Sequence, residues 1–281
     1  MSKEIDGNVR ELISDGRRND MHKWLSPADP STNYNKALRI RHRASGQWFL
    51  QSTTYLSWKA EAGRSLWLKG KAGCGKTILS STIIENLKKA SSSTATLLYF
   101  YFDFGDVGKQ ALECALRSLI YQLYCETPGV QNGLDSLYSS CHAGQSQPTI
   151  DSLMAAFQGM LDLAGDVQIV LDALDECPAR NDDDGRGLLP WIKTIHDRKD
   201  VWLLTTSRPE QDIECSMNWV GTECTIDLES SLVHADICSF IRDKVYSDST
   251  LRRWHGHPEI QEEVEKVLFA KADGMYEYSS L

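Results

Sequence analysis

GKAGCGKT, residues 70–77, is the stretch on which the reading of this chain turns. Gly70, Gly75, Lys76 and Thr77 occupy the fixed places of the pattern G-x-x-x-x-G-K-[ST]. Each residue type has a physical task there. Glycines, here Gly70, Gly73 and Gly75, let the backbone take angles closed to other residues, so that successive N–H groups turn toward one anion. A helix beginning near Lys76 adds its positive end to the same point. Lys76 is then placed for the β- and γ-phosphates of a nucleotide and the Thr77 hydroxyl for Mg2+, while Cys74 and Ile78 complete the set of candidate loop contacts.

The flanks fit this reading, since an apolar run enters the loop and a helical pattern, with Leu79, Ile83 and Leu87 at intervals of four, leaves it. Working outward, further short β-rich runs follow: SLWLKG (65–70) at the loop, ATLLYFYFDF (95–104), VQIVLDAL (167–174), VWLLTTSR (201–208) and CTIDL (224–228). Between them, ALECALRSLIYQLY sets Leu112, Ala115, Leu116, Leu119, Ile120 and Leu123 on one helical stripe. Continuous apolar runs mark strands covered on both faces. Alternation of such strands with helices predicts an α/β fold with a mainly parallel sheet.

Two strand ends carry chemistry. IVLDALDE (169–176) closes an apolar run on Asp172, a carboxylate placed to hold Mg2+. Asp175 and Glu176 follow, and either can orient or deprotonate an attacking water. Side chains alternate along a strand, so all three acids share a site only if the chain turns after about Leu174. LLTTSRPE (203–210) delivers Arg208 to the carboxyl edge of the sheet, where ligands of open α/β folds bind and where a guanidinium can sense a γ-phosphate. Paired carboxylates at the strand end favour water as the phosphoryl acceptor over the small-molecule acceptor of a kinase.

Composition narrows the field. The 281 residues carry a net charge of -9, which opposes general attraction to nucleic acid or an anionic membrane. One basic run, Lys36, Arg39, Arg41, His42 and Arg43, reads as a solvated helix face, and the acidic stretch NDDDG (181–185) as a solvated turn. Eight cysteines without metal-site spacing suit a reducing compartment. MSKEIDGNVRELISDG lacks the apolar core of a signal peptide, and no run approaches 18 apolar residues, so a cytoplasmic protein without a membrane span is expected. Three regions are expected: a linker with a short helical segment (1–45), broken at Pro27 and Pro30; the α/β core (46–230); and a partial helical subdomain (231–281).

GKAGCGKT, LDALDE and LLTTSRPE, in that order, resemble the Walker A, extended Walker B and sensor 1 segments of NACHT NTPases, the STAND-class nucleotide switches. WLSPADPSTNYNKALRIRHRASGQWFL, LYFYFDF and QPTIDSLMAAF are similar to stretches of the fungal NOD-like receptors. The resemblance implies an ASCE-type P-loop NTPase, a three-layer sandwich whose Walker B strand is not adjacent to the P-loop strand. It implies ATP or GTP with Mg2+, slow hydrolysis used as a switch, and a place in signalling, innate immunity or heterokaryon incompatibility. By position, Gly70, Gly73, Cys74, Gly75, Lys76, Thr77 and Ile78 hold phosphate, Thr77 and Asp172 the metal, Asp175 and Glu176 the water, and Arg208 senses the γ-phosphate. Family members continue into a winged-helix clamp and sensor repeats, where this chain reads KADGMYEYSSL, so those parts are expected outside it. The alternative is a non-hydrolysing module in which nucleotide supports self-association through an apolar helix face.

Overall fold

The computed structural model describes residues 15–42, 45–61, 63–90, 95–181, 186–228, 231–247, 249–254 and 256–272. Five strands form one sheet: β1 (Ser65–Lys69), β2 (Thr96–Tyr101), β3 (Val167–Asp172), β4 (Val201–Ser207) and β5 (Thr225–Asp227). Each lies inside a run expected from the sequence. Their order is β2-β3-β4-β1-β5 and every neighbouring pair is parallel. β4 thus stands between β1, which leads into the 70–77 loop, and β3, which ends on Asp172, the order that the NACHT resemblance implies. Pairing of Lys69 with Ser207 and of Leu171 with Thr205 brings three carboxyl ends to one edge of the sheet.

Around the sheet lie α1 (15–25), α2 (Ser31–Ile40), α3 (Gln47–Leu50), α4 (Thr53–Ala60), α5 (Lys76–Lys89), α6 (Leu112–Glu126), α7 (Gln131–Ser140), α8 (Ile150–Ala164), α9 (Leu188–His196) and α10 (Gln211–Ser216). Two more helices follow, α11 (Ser231–Ser247) and α12 (Pro258–Ala272). Alternation along the strands sorts the core into two layers. Leu66, Leu68, Val170 and Leu204 pack with Tyr55 and Trp58 of α4 and with Leu79, Ile83, Ile84 and Leu87 of α5. Trp67, Ile169, Leu171 and Leu203 face the other way, onto Leu116, Leu119 and Leu123 of α6 and Leu153, Phe157 and Met160 of α8. Covered on both faces, these strands have no polar side to display, hence their continuous apolar runs.

The N-terminal stretch differs from a linker in its described part. Met21, Trp24 and Leu25 of α1 are buried in the α6–α8 layer, and the Trp24 indole Nε1 donates to the Ser146 carbonyl at 2.9 Å. Burying one such side chain stabilises a fold by roughly 1.5–3 kcal/mol, enough to dock a short helix despite its polar neighbours. Three apolar residues among many polar ones give too weak a periodic signal for the sequence to announce this. The break at residues 26–30 does fall where Pro27 and Pro30 forbid helix. On the opposite layer, Ile237, Ile241 and Val245 of α11 are buried in the same cluster as α5. Among the described residues no helix is long and apolar enough to cross a membrane. Residues 182–185 of the acidic loop, Arg43 and the KADGMYEYSSL tail from 273 onward lie outside the described residues.

Candidate functional site

The loop grows out of β1 and is tied to the sheet by the Gly70 N–H, which donates to the Ser207 carbonyl at 3.1 Å. Gly75 has φ 91° and caps α5 from the left-handed region, a conformation that a side chain would strain. Gly70 is required for another reason: a Cβ there would stand 2.6 Å from the Cys74 sulfur. No side chain caps the N-terminus of α5, whose first-turn N–H groups point back along the helix axis toward the loop. Lys76 is buried and its Nζ donates to the carbonyls of Gly70 and Lys71, both at 2.7 Å.

A cleft of about 470 Å³ opens beside this loop. Gly73, Gly75, Lys76, Thr77 and Ile78 line it together with Asp172, Asp175, Glu176 and Arg208. Residues separated by more than 90 positions are thus brought to one surface. Gly70 and Cys74 are not in that lining; Cys74 is buried with Leu68 and Leu79 behind the loop.

Asp172 is the hub. Its carboxylate, 1% exposed, accepts hydrogen bonds from Thr77 Oγ1 at 2.7 Å, Ser80 Oγ at 2.8 Å and Thr206 Oγ1 at 2.7 Å. Thr206 Oγ1 in turn accepts from the Ala173 N–H at 2.9 Å, which orients its own proton toward the acid. Burial raises the Asp172 pKa, and the three hydroxyls only partly offset it. The folded state therefore binds more protons than the unfolded chain once pH exceeds about 3.9, the unfolded Asp value. Stability from this group is complete below that pH and is lost as pH rises through the raised folded pKa. In buffer free of nucleotide and metal, Asp172→Asn is accordingly expected to gain on wild type by about 1.4 kcal/mol per pH unit of that window. Urea unfolding of both proteins from pH 4 to pH 7 measures the gap, and a gap independent of pH would contradict the assignment.

The strand ends at Asp172 and the chain turns at Ala173, a non-glycine residue with φ 59°, one position before the place required by the sequence pattern. That left-handed residue cancels the alternation of the strand. A short 3-10 turn, Leu174–Glu176, then presents both remaining acids to the cleft. The two are held differently. Asp175 accepts from the Arg208 N–H at 2.9 Å and pairs with Arg208 Nε at 3.0 Å. Glu176 is half-buried and accepts only the Phe104 N–H, at 3.1 Å, among the described residues. Burial pushes its pKa above the ordinary glutamate value, and the charges of Asp175, Asp103 and Asp172 push the same way.

Several participants went unmarked in the sequence. Ser80 follows Thr77 by three positions, the spacing that puts both on one face of α5, and Thr206 stands two residues before Arg208. Arg180 bonds the Asp175 carbonyl at 2.7 Å while pairing with Glu210 at 2.6 Å and Asp212 at 3.0 Å, so it staples the acidic turn to the segment after Arg208. No motif surrounds it. α2 also lines the cleft, through Asn33, Lys36, Ala37 and Ile40, as do Phe102, Asp103 and Phe104 after β2. The basic run expected to be a solvated face is divided in the structure. Arg41 pairs with Glu85 of α5 at 2.8 Å, His42 with Asp243 of α11 at 2.5 Å, and Lys36 lines the cleft.

Comparison with known proteins gives three findings. The family model described as Nephrocystin 3, N-terminal matches residues 44–208, more than half of the chain. The vegetative incompatibility protein HET-E-1 of Podospora anserina is 26% identical over 216 residues, which cover 70% of this chain and 15% of that protein. The chain therefore spans a small part of that relative's length. The crystal structure of Cdc6p from Pyrobaculum aerophilum aligns with a TM-score of 0.46 at 15% identity, over 79% of this chain and 52% of the other. The family match and the fungal relative agree with the NACHT-type resemblance carried by the three motifs.

Proposed function

This chain belongs to the family described as Nephrocystin 3, N-terminal, and we propose that it is a nucleotide-dependent switch module that binds ATP or GTP with Mg2+ and hydrolyses it slowly. The observation that carries the reading is the Thr77–Asp172 hydrogen bond of 2.7 Å. It joins the first turn of the loop helix to one oxygen of the strand-end carboxylate, while Ser80 and Thr206 both donate to the other oxygen. A hydroxyl and a carboxylate are the hard oxygen donors that Mg2+ prefers, and few protein ligands suffice because phosphate oxygens and waters supply the rest. The donor set therefore fits. Bound by Thr77 and Asp172, the metal would neutralise charge on the β- and γ-phosphates.

The residues divide the work as follows. The N–H groups of residues 73–78 and the Lys76 ammonium bind phosphate. Asp175 fixes Arg208 at the mouth of the cleft, where a guanidinium meets a terminal phosphate. Glu176, whose carboxylate is engaged by a single backbone N–H among the described residues, orients and deprotonates the attacking water. The similarity to a protein named for vegetative incompatibility supports a place in signalling of that kind.

Titration with fluorescent ATP and GTP analogues, with and without Mg2+, tests the proposal and selects the base. Saturable binding at one site, at least about tenfold tighter with Mg2+, is expected. Binding indifferent to Mg2+ would overturn the metal assignment. Multiple-turnover phosphate release by a monomer on size exclusion would separate a hydrolysing switch from a platform that only self-associates around nucleotide.

A further inference from the structure

We infer that Lys36, on α2, is a second cation that meets the terminal phosphate of a bound nucleoside triphosphate, beside Arg208, and so adds a preference for triphosphate over diphosphate. The inference rests on the nucleotide-binding reading of the cleft and adds to it a residue outside the P-loop core.

The first observation is one of phase. Asn33, Lys36, Ala37 and Ile40, the members of α2 that line the cleft, are spaced i, i+3, i+4, i+7, which is one face of a helix. Lys36 is exposed, and its place on this face of the helix is what starts its stem toward the cleft. Arg39, equally charged and three residues away, lies off that face and is not in the lining.

The second concerns how firmly that face is held. At the start of α2, Asn33 Nδ2 donates to Asp103 Oδ2 at 3.0 Å, and the buried Lys109 ammonium donates to Thr32 Oγ1 at 2.6 Å and Asn33 Oδ1 at 2.5 Å. Just beyond its end, the Arg41 guanidinium bonds Glu85 at 2.8 Å and Thr82 at 3.3 Å, both on α5. The helix is thus bolted at one end to the loop after β2 and at the other to the helix that begins in the phosphate loop. Lys36 stands between the bolts, and its stem need not be immobilised from a free-moving wall.

The third is charge. The cleft lining holds four carboxylates, Asp103, Asp172, Asp175 and Glu176, against three cations, Lys36, Lys76 and Arg208. Lys76 is engaged by two loop carbonyls and Arg208 by Asp175. Lys36 alone of the three has no hydrogen-bond or ion-pair partner among the described residues. The loop and Thr77–Asp172 fix which end of the nucleotide faces it. The phosphate chain runs from the α5 N-terminus toward Asp172 and Glu176, and α2 is tied to that end of the cleft, since Asn33 bonds Asp103 and the adjacent Phe104 N–H bonds Glu176. The terminal phosphate is the anion on that side.

The experiment compares the binding of β,γ-imido ATP and GTP analogues with that of ADP and GDP, all with Mg2+, to wild type, Lys36→Met, Lys36→Arg and Arg39→Met. Methionine keeps most of the apolar stem, and equal melting temperatures establish that α2 is still docked. Lys36→Met is expected to lose about tenfold in triphosphate affinity and less than about twofold for diphosphate, the scale of one charge-assisted hydrogen bond. Arginine should restore most of the loss, and Arg39→Met, which changes the net charge equally, should cause none. Equal loss for both nucleotides, or the same loss in Arg39→Met, would overturn the inference while leaving nucleotide binding intact. A wild-type protein that binds neither class would overturn the underlying reading as well.

Discussion

Lys76→Ala is expected to abolish measurable Mg-nucleotide binding while leaving the fold in place. The Lys76 ammonium is buried at the start of α5 and held by two backbone carbonyls of the loop, so it is already aimed and partly desolvated. Removing one member of a desolvated charge pair costs about 2–5 kcal/mol, which corresponds to roughly 30-fold to several thousand-fold in affinity. The loop itself should survive. The substitution removes the two bonds to the Gly70 and Lys71 carbonyls but keeps the backbone angles of Gly73 and Gly75 and the bond from the Gly70 N–H to Ser207. Calorimetric titration beside a thermal melt checks both halves of the expectation. A Kd within threefold of wild type would remove Lys76 from the phosphate site.

Glu176→Gln carries the second large effect, and it falls on turnover alone. Loss of a positioned general base slows a reaction by about 10²–10⁴-fold. Glutamine keeps the size of the side chain and can still accept the Phe104 N–H, so the Kd should stay within about twofold. The pH dependence has a definite sign. A base works deprotonated, and burial raises the Glu176 pKa, so wild-type turnover should rise with pH through a value above about 4.3, the ordinary glutamate figure. The glutamine variant should lack that rise. Asp175→Asn makes an informative contrast, because its carboxylate is spent on Arg208 and its loss acts through the arginine. Single-turnover hydrolysis at several pH values separates the two, and wild-type rates from Glu176→Gln would end its role as base.

How much of this was legible beforehand depends on whether a local pattern or a distant partner fixes each residue. The loop and all five strands were readable because their signals are local: glycine spacing, apolar runs and a helical stripe. Sheet order followed only from the family resemblance, since nothing in β4 says that it slides between β1 and β3. The equal treatment of Asp175 and Glu176 shows where pattern reading runs out. Adjacent acids look alike on paper, and what distinguishes them is the Arg208 pair on one and the Phe104 amide on the other. The hydroxyls of Ser80 and Thr206 and the α2 wall were missed for the same reason. Common polar residues acquire meaning only when the chain returns to them. Ala173 is the subtlest case, because alanine gives no notice of a left-handed turn that glycine or asparagine would have advertised.

The carboxylate of Asp172 also bears on the order of events during synthesis. It gathers hydroxyls from 95 and 92 positions earlier and from 34 positions later in the chain. Contacts of such span form late, because loop-closure entropy must be met before they contribute. A nascent chain therefore carries its complete glycine loop long before it carries a finished grip. Until Thr206 has been translated and β4 has slotted between its neighbours, the acid lacks one of its three donors and the loop lacks the Ser207 carbonyl that tethers Gly70. On the proposed reading, nucleotide capture would therefore await the insertion of β4, after the polypeptide has passed about residue 208, and would report on that step of folding as well as on the loop sequence.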